Sequence, residues 1–267
     1  MRVHRTPLKI IYNHMNFSNA IVRKPGINFS KGITTSKLGK PDITLALQQH
    51  ETYCRTLEKC GLIVEQLEAA PSFPDSVFVE DTAIITGKIA IIARPEDPRR
   101  RGEEKIIEES ISKYRSLVYI KEPGTVDGGD ICQAGDHFFI GISERTNLEG
   151  AGQLESILSE YGYSSSIINV NHTLHLKSGF NYIGDNYLLL HEQFSDNRAI
   201  KNRKKIVVPE KEAYAANIVR INDYLLVAEG FPETLKKLKQ LNLQLLTINM
   251  SEFRKMDGGL SCLSLRF

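Results

Sequence analysis

The sequence lacks the features that mark several classes of protein. Its four cysteines are scattered and form no CxxC pair, so a zinc site or a thioredoxin-like motif is not expected. Few, unpaired cysteines are typical of a reducing compartment. No apolar run approaches the roughly 18 residues of a membrane span, and the run after the first basic residues is too short for a signal peptide. These absences predict a soluble, cytoplasmic protein without a membrane partner.

The chain also lacks a strong excess of charge. Its net charge of +2 over 267 residues is too small for the cationic surface typical of nucleic-acid-binding proteins. Of two short basic runs, Arg99–Arg101 and Arg203–Lys205, the second is interpreted as a solvated face. No nucleic-acid partner is therefore expected. A homodimer is compatible with the sequence, which does not determine the oligomeric state.

A repeating pattern is what the sequence does contain. Length alone suits one large domain or two small ones. From residue 77 onward, however, blocks of two strands, a helix and a third strand recur, with helices predicted at 101–114, 148–161 and 232–241. A polar residue at the end of each block's first strand recurs at intervals of 47, 48, 42 and 45 residues: Glu80, Asp127, His175, Asn217 and Cys262. This regularity predicts a cyclic repeat in which the equivalent strand ends meet on the central axis.

The first strand of each block is predicted to carry the candidate site. These strands are expected at 77–79 with 82–86, 126–132, 174–180 and 216–221. The C-terminal segment is predicted to be a strand as well, with Cys262, Ser264 and Arg266 on one face. Second strands are expected at 137–142, 187–190 and 224–228. Upstream of the repeats, short strands are predicted at Lys9–Tyr12 and Ala20–Val22, and Asp42 is predicted to cap a helix that ends before Gly61.

The stretch from Pro25 to Pro41 is polar, contains glycine and shows no periodicity. Long loops of this kind in compact domains are usually lids or binding loops. A surface loop without function explains the composition equally well, so both interpretations stay open.

The polar residues of the series suggest nucleophilic catalysis. A cysteine attacks only as the thiolate, so Cys262 needs a base or a positive charge nearby. His175 is the best base candidate, although a lone histidine between leucines is more often structural. Asp127 precedes two glycines that let the backbone approach a ligand, or that form an ordinary tight turn. Glu80 and Asp81 could act as general acids, bind a metal, or hold a planar cation.

The three carboxylates also narrow the substrate class. Acids around a thiol raise its pKa and so oppose catalysis. The objection disappears if the substrate is a cation, because a guanidinium held by Glu80, Asp81 and Asp127 would stabilise the thiolate. A metal at the same acids is less expected, since it would quench the nucleophile. The pattern therefore favours a guanidine-like substrate and no metal.

At these residues the sequence resembles the dimethylarginine dimethylaminohydrolases of the guanidine-modifying superfamily. Six segments run in the family's order over nearly the whole chain: Pro74–Asp81, Ala93–Glu103, Thr125–Asp130, Gly141–Asn147, Leu174–Ser178 and Met256–Cys262. The resemblance implies an α/β fold, a five-bladed pentein propeller of ββαβ repeats with pseudo-fivefold symmetry. It also implies that residues 1–267 form a single catalytic domain that needs no cofactor.

The resemblance further implies a role for each site residue. Cys262 attacks the guanidinium carbon, an amine leaves, and water hydrolyses the covalent thiouronium to citrulline. His175 protonates the leaving amine and then activates the water. Asp127 orients His175 and helps hold the guanidinium, and Glu80 and Asp81 bind its other nitrogens.

For the far end of the substrate, the resemblance implies a carboxylate grip by Arg145 and one arginine of the 99–101 run. Counted along the family's motif from Arg94, Arg100 is the arginine favoured to bind the carboxylate. It is expected to do so bidentately. Asp75 would take the α-amino group. Backbone around Ile27–Lys31 would close over the ligand, and the Met256–Gly259 backbone would line the pocket beside the guanidinium.

Three alternatives stay open. Arginine deiminases and amidinotransferases usually have Arg-Asp where this chain has Glu80-Asp81, so a substituted arginine suits it better. Agmatine deiminases lack a carboxylate clamp, whereas Arg145 and the arginine run favour an amino-acid substrate. A non-catalytic pentein that binds arginine-like ligands would be expected to have lost Cys262, His175 or an acid of the pocket, and all are present.

Overall fold

The computed structural model describes residues 16–241 and 243–267, so the strand predicted at Lys9–Tyr12 lies outside the described residues. The described chain forms five sheets of three strands each. The helices are α1 Ile43–Lys59, α2 Lys105–Ser112, α3 Leu148–Glu160, α4 Pro232–Leu238 and α5 Ser251–Arg254. The strands are β1 Asn19–Arg23, β2 Ile63–Leu67, β3 Ala83–Ile85, β4 Ile89–Ile92, β5 Ser116–Tyr119, β6 Ile131–Ala134, β7 His137–Ile142, β8 Ser164–Asn169, β9 Phe180–Gly184, β10 Tyr187–Leu190, β11 Lys204–Val207, β12 Val219–Ile221, β13 Tyr224–Ala228, β14 Gln244–Ile248 and β15 Leu265–Arg266.

Every sheet has the same topology and forms one blade of a ring. The middle strand pairs antiparallel with the first strand and parallel with the third, as in β3-β4-β5. Three further blades, β6-β7-β8, β9-β10-β11 and β12-β13-β14, follow in chain order. The fifth combines both ends of the described chain, because β1 pairs antiparallel with β15 and parallel with β2. The predicted five-bladed α/β propeller is confirmed.

Helices and apolar strand faces account for the core. The α1 helix begins after Asp42, whose side chain accepts a hydrogen bond from the Leu45 backbone N–H, as an N-cap should. Its buried face includes Ala46, Tyr53 and Leu57. The buried apolar side chains of the described residues form five clusters, in keeping with a ring of similar blades. No helix among these residues is long and apolar enough to cross a membrane.

The inner ends of the blades differ from the prediction. Short 3₁₀ turns, not strands, precede the first strands; we call them the inner turns, and they span Val79–Thr82, Gly128–Asp130, Leu176–Ser178, Glu210–Ala216 and Ser261–Leu263. The strand predictions are therefore wrong at 77–79, 82, 127–130, 174–179, 216–218 and 262–264. These segments are buried on several sides, and apolar periodicity cannot distinguish a buried turn from a buried strand.

Other boundaries follow the prediction more closely. The second strands β7, β10 and β13 have the predicted bounds, and α3 ends one residue earlier than expected. The second helix begins at Lys105 instead of residue 101, because Gly102 has a φ of +110° that a helix does not permit. The α4 helix ends at Leu238, three residues before the predicted end.

Candidate active site

The inner turns bring the polar series together at one end of the ring axis. Glu80 and Asp81 lie in the first inner turn, while Asp127 and His175 immediately precede the second and third. Cys262 lies in the last. Two adjoining cavities of about 40 Å³ each are lined by His175 and Cys262 together, one also by Glu80 and the other by Asp81 and Asp127. The geometry thus groups the five residues that the sequence analysis selected for chemistry.

His175 is held between carboxylates. Its Nε2 lies 3.1 Å from Asp127 Oδ2, and its Nδ1 lies 3.9 Å from Asp81 Oδ1. Burial alone would lower the pKa of His175, but Asp81 and then Asp127 raise it to about 9. The imidazole is therefore protonated at neutral pH. A cation at this position can donate a proton to a leaving group.

Gly129 shows why a glycine pair follows Asp127. Its backbone N–H donates to Asp81 Oδ1 at 3.1 Å. A Cβ at this position would come within 2.6 Å of His175 Nδ1 and 2.8 Å of Asp81 Oδ1. Only glycine permits this close approach, so the predicted role of the glycines in bringing backbone near the site agrees with the geometry.

Cys262 is half-buried, and its Sγ accepts a weak hydrogen bond from the Gly259 N–H at 3.4 Å. Burial, then Glu80 and Asp81, raise the pKa of the thiol to about 12. Without ligand, the site therefore combines a neutral thiol with an imidazolium. Forming the thiolate requires a further positive charge beside the sulfur.

Glu80 is fully engaged by neighbours that sequence reasoning missed. Its Oε2 accepts from Ser261 Oγ at 2.6 Å, and its Oε1 lies 2.6 Å from Lys177 Nζ and 3.0 Å from Arg266 Nη2. Asn217, the remaining member of the 42-to-48-residue series, donates to the Lys177 carbonyl and to Ser261 Oγ. Lys177 and Ser261 lie within inner turns and Asn217 follows one directly, which was the available signal for these three residues.

Arg100 is the arginine of the 99–101 run that reaches the site. Its Nη1 donates to Asp81 Oδ2 at 2.6 Å, and its Nε and Nη2 both donate to Glu103 Oε2. Nη2 also donates to the Phe78 carbonyl at 3.3 Å. Four of its five N–H groups are thus used, which leaves one for a substrate and does not fit the expected bidentate grip. Glu103 was not foreseen.

The other two arginines of the run point elsewhere. Arg99 pairs with Asp97, and its side chain is 69% exposed. Arg101 donates to the carbonyls of Pro95 and Glu96. Of the three arginines, only Arg100 lines the cavity that contains Cys262, and its binding of a carboxylate stays a prediction.

The second cavity extends from Cys262 to Asp75, Arg100, Arg145 and Met256. Arg145 Nη1 lies 3.3 Å from Asp97 Oδ2, and within the described part of the chain its Nε and Nη2 have no partner. Asp75 accepts from the Ile33 N–H with both oxygens, at 3.1 and 3.0 Å. Burial raises the pKa of Asp75. One end of the cavity thus offers a cation and an acid for an amino-acid head group.

The loop from 25 to 41 lies over this cavity, which favours the lid interpretation. Ile33 and Thr35 form part of the wall. Thr35 N–H donates to Asp257 Oδ2 at 2.6 Å, and the Thr34 hydroxyl donates to the same oxygen at 3.1 Å. The segment Ile27–Lys31, which was expected to close over the ligand, does not line the cavity, and Ile27 is 92% exposed.

Asp81, Asp127 and His175 could also be considered as metal ligands. One ligand atom of each lies within 4.8 Å of the others. Arg100 and Gly129 already bind the two oxygens of Asp81, and the raised pKa of His175 means that a metal would compete with a proton. The contacts favour a proton-transfer site, and the absence of a metal from the mechanism stays a prediction.

Comparison with known proteins identifies the family. The family model for arginine deiminase matches residues 65–229. The N(G),N(G)-dimethylarginine dimethylaminohydrolase of Pseudomonas aeruginosa is 43% identical over 94% of this chain and 100% of its own length. The chain belongs to the dimethylarginine dimethylaminohydrolase family.

Solved structures of the dimethylarginine dimethylaminohydrolase family superpose closely on this chain. The P. aeruginosa enzyme, as a cysteine-to-serine mutant complexed with citrulline, has a TM-score of 0.93 at 42% identity, covering 94% of this chain and 100% of that one. A histidine-to-glycine mutant of a dimethylarginine dimethylaminohydrolase, as an adduct with S-methyl-L-thiocitrulline, has a TM-score of 0.92 with the same identity and coverage. The pentein propeller is therefore shared over nearly the whole chain.

Proposed function

We propose that this protein hydrolyses the guanidinium group of methylated arginine, giving citrulline and dimethylamine or methylamine. One observation carries the proposal: a cysteine, a protonated histidine and three carboxylates converge at the end of the ring axis. Membership of the dimethylarginine dimethylaminohydrolase family supports it. So do the citrulline complex and the thiocitrulline adduct of the related enzymes.

The charges of the site match a cationic substrate. The thiol pKa of about 12 means that almost no thiolate exists at neutral pH without ligand. A guanidinium placed among Glu80, Asp81 and Asp127 lowers the thiol pKa by direct attraction and is itself held by the acids. The nucleophile is therefore activated by the substrate that it attacks.

The first half-reaction forms the covalent intermediate. As the guanidinium binds, the Cys262 thiol loses its proton to solvent. The thiolate forms a bond to the guanidinium carbon, whose π electrons move to nitrogen. The carbon–nitrogen bond to the methylated nitrogen then breaks, and its electron pair accepts the proton of the His175 imidazolium. A neutral amine leaves and a thiouronium remains on the enzyme.

The second half-reaction restores the enzyme. Neutral His175, oriented by Asp127 at 3.1 Å, takes a proton from water as the water oxygen attacks the thiouronium carbon. The carbon–sulfur bond breaks, and sulfur leaves as the thiolate that began the cycle. The new carbonyl oxygen gives the second proton of the water to solvent, and neutral citrulline is released with the imidazolium regenerated.

The head group of the substrate binds at the Arg145 end of the cavity. Arg145 offers Nε and Nη2 to the α-carboxylate, and Arg100 adds its one remaining N–H. Asp75 accepts from the α-ammonium group, for which it exchanges its contact with Ile33. Met256 completes the wall between the two ends. An amine such as agmatine has no carboxylate for Arg145 and is expected to bind more weakly.

We also propose that the ring acts as one catalytic domain over residues 1–267. Each of the five blades contributes a residue to the site or its support: Glu80, Asp127, His175, Asn217 and Cys262. No separate part of the ring could therefore be active alone. A homodimer and a cytoplasmic location stay predictions.

Arginine deiminase activity is the second candidate, because the arginine deiminase family model matches 65–229. An assay with four substrates distinguishes arginine deiminase activity from hydrolysis of methylated arginine: arginine, monomethylarginine, asymmetric dimethylarginine and agmatine. The assay measures the citrulline or other carbamoylated product that forms and the amine that is released. We expect turnover of the methylated arginines without added metal or cofactor. Equal or faster ammonia release from arginine would move the assignment to arginine deiminase.

Variants test the roles of the nucleophile and the acid. Cys262→Ser is expected to lower kcat by at least about a thousandfold, since a serine hydroxyl at this site lacks an adequate base. His175→Ala should stop turnover as well. Cys60→Ser, a buried cysteine outside the site, is the matched control and should retain activity. Full activity of Cys262→Ser would contradict the nucleophile assignment.

A further inference from the structure

The ring contains another cavity on its axis, which we call the axial channel. It has a volume of about 140 Å³, and the first strand of every blade contributes to its wall. Ile84, Ile131 and Val219 are among its apolar lining residues, and Asp185 and Arg220 are among its polar ones. Nothing in the proposed reaction uses this space.

A single layer of side chains separates the axial channel from the active site. Glu80, Lys177 and Ser261 line both the channel and the cavity beside Cys262. Glu80 holds this layer together, with Lys177 Nζ and Ser261 Oγ each 2.6 Å from its carboxylate. The layer has no backbone element that must move, since the Glu80 and Lys177 side chains turn about several single bonds.

The proposed function creates a need for a second route, and the inference rests on it. The amine leaves while the rest of the substrate is still bonded to Cys262 and fills the cavity toward Arg145. The loop covers that side through the Thr35 N–H and the Thr34 hydroxyl, which both donate to Asp257. Water must then reach the same carbon. The entrance used by the substrate is blocked during both events.

We propose that the axial channel is the exit for the leaving amine and the entrance for the hydrolytic water. The amine is released beside Glu80, at the wall that the two cavities share. It takes up a proton in water and becomes a small alkylammonium ion. Glu80 and Asp185 in the channel wall are paired with Lys177 and Arg220, so the wall charges nearly balance, and the apolar side chains accommodate the methyl groups of the amine.

A bulky side chain in the channel tests the proposal. Gln133 is half-buried on β6, lines the channel and lies outside the shared layer. Gln133→Trp is expected to lower kcat about tenfold for asymmetric dimethylarginine, because dimethylamine is released slowly. The loss should be about threefold for monomethylarginine, whose leaving amine is smaller. The dissociation constant for citrulline should not change.

Two further variants serve as a control and as a second way of narrowing the channel. Gln244→Trp makes the same change on the exposed outer strand β14 and should leave both kcat values unaltered. Ile85→Phe narrows the channel from β3 and should reproduce the effect of Gln133→Trp if that variant does not fold. An unchanged kcat, or an equal loss with both substrates, would overturn the channel proposal. Inactivity of the unaltered protein toward both substrates would instead overturn the proposed function.

Discussion

At the scale of single residues, one group of acids keeps His175 charged and, after burial, adds to the raised pKa that keeps Cys262 neutral. Asp81 raises the pKa of His175 and also that of Cys262. For histidine this favours the charged form, and for cysteine it favours the neutral form. The acids therefore keep the proposed proton donor charged in advance and keep the proposed nucleophile in its neutral form until a cation binds.

The raised pKa of His175 makes stability depend on pH in a definite direction. With a pKa of 6.5 unfolded and about 9 folded, the stabilisation by the imidazolium is fully present below pH 6.5 and is lost as pH rises through 9. We expect the Tm of the unaltered protein to exceed that of His175→Gln by more at about pH 6 than at about pH 10.

His137→Gln is the matched control for this titration. Burial and then Arg203 lower the pKa of His137, so its contribution has the opposite sign. The Tm difference between the unaltered protein and His137→Gln is therefore not expected to shrink between the two pH values. A difference for His175→Gln that does not change with pH would show that His175 is neutral in the folded protein.

At the scale of elements, a hydrogen-bonded pair of loops determines access. Asp257 follows α5 with a φ of +58°, in the left-handed region. Its Oδ2 accepts from Thr35 N–H at 2.6 Å and from the Thr34 and Thr35 hydroxyls at 3.1 Å. The Asp257 carboxylate thus helps to fix the 25–41 loop above the cavity, together with the contact of Asp75 to the Ile33 N–H.

Removing this carboxylate is expected to affect binding more than chemistry. Asp257→Gly keeps the positive φ without strain and loses three hydrogen bonds of roughly 0.5–1.5 kcal/mol each. Because the loop then closes less firmly over the substrate, we expect KM to rise about tenfold with kcat changed less than about threefold.

Ser36→Ala on the same loop is the control for Asp257→Gly. Among the described residues, the Ser36 hydroxyl forms a hydrogen bond only with the Leu38 backbone N–H. Its KM should match that of the unaltered protein. A KM for Asp257→Gly equal to that value would show that the loop does not restrict the bound substrate.

At the scale of the whole molecule, the ring is closed by the ends of the described chain. Phe267 N–H donates to the Asn19 carbonyl at 3.0 Å, and the Phe267 carbonyl accepts from Asn19 N–H at 2.8 Å. The Phe267 ring is buried and lies 4.8 Å from the Tyr114 ring, centroid to centroid. Cys262 lies only five residues earlier, so closure of the ring and the position of Cys262 are coupled.

Truncating this side chain should therefore destabilise the entire ring. Phe267→Ala is expected to lower the free energy of unfolding by roughly 3 kcal/mol, from lost apolar burial and the cavity left behind. Urea unfolding followed by circular dichroism measures the change. Phe73→Ala, at a half-buried phenylalanine, should cost clearly less. Equal losses would show that the C-terminal strand contributes no more than a surface loop.

The sequence by itself determined the ring and predicted which residues are reactive. Apolar strands recur because each blade buries the same faces, and this periodicity is local enough to be seen along the chain. The spacing of Glu80, Asp127, His175 and Cys262 then placed them on one axis without any knowledge of their contacts. The six segments that resemble the dimethylarginine dimethylaminohydrolases supplied the expected roles of these residues.

Only the tertiary structure decided which partners these residues have. The inner turns, the Glu103–Arg100–Asp81 chain, the Lys177–Glu80 pair and the Asp257 contact with the loop join segments that are far apart in sequence. Hydrogen bonds depend on tenths of an ångström and on direction, whereas sequence periodicity indicates only which face a residue shares. The axial channel likewise exists only once five blades enclose it.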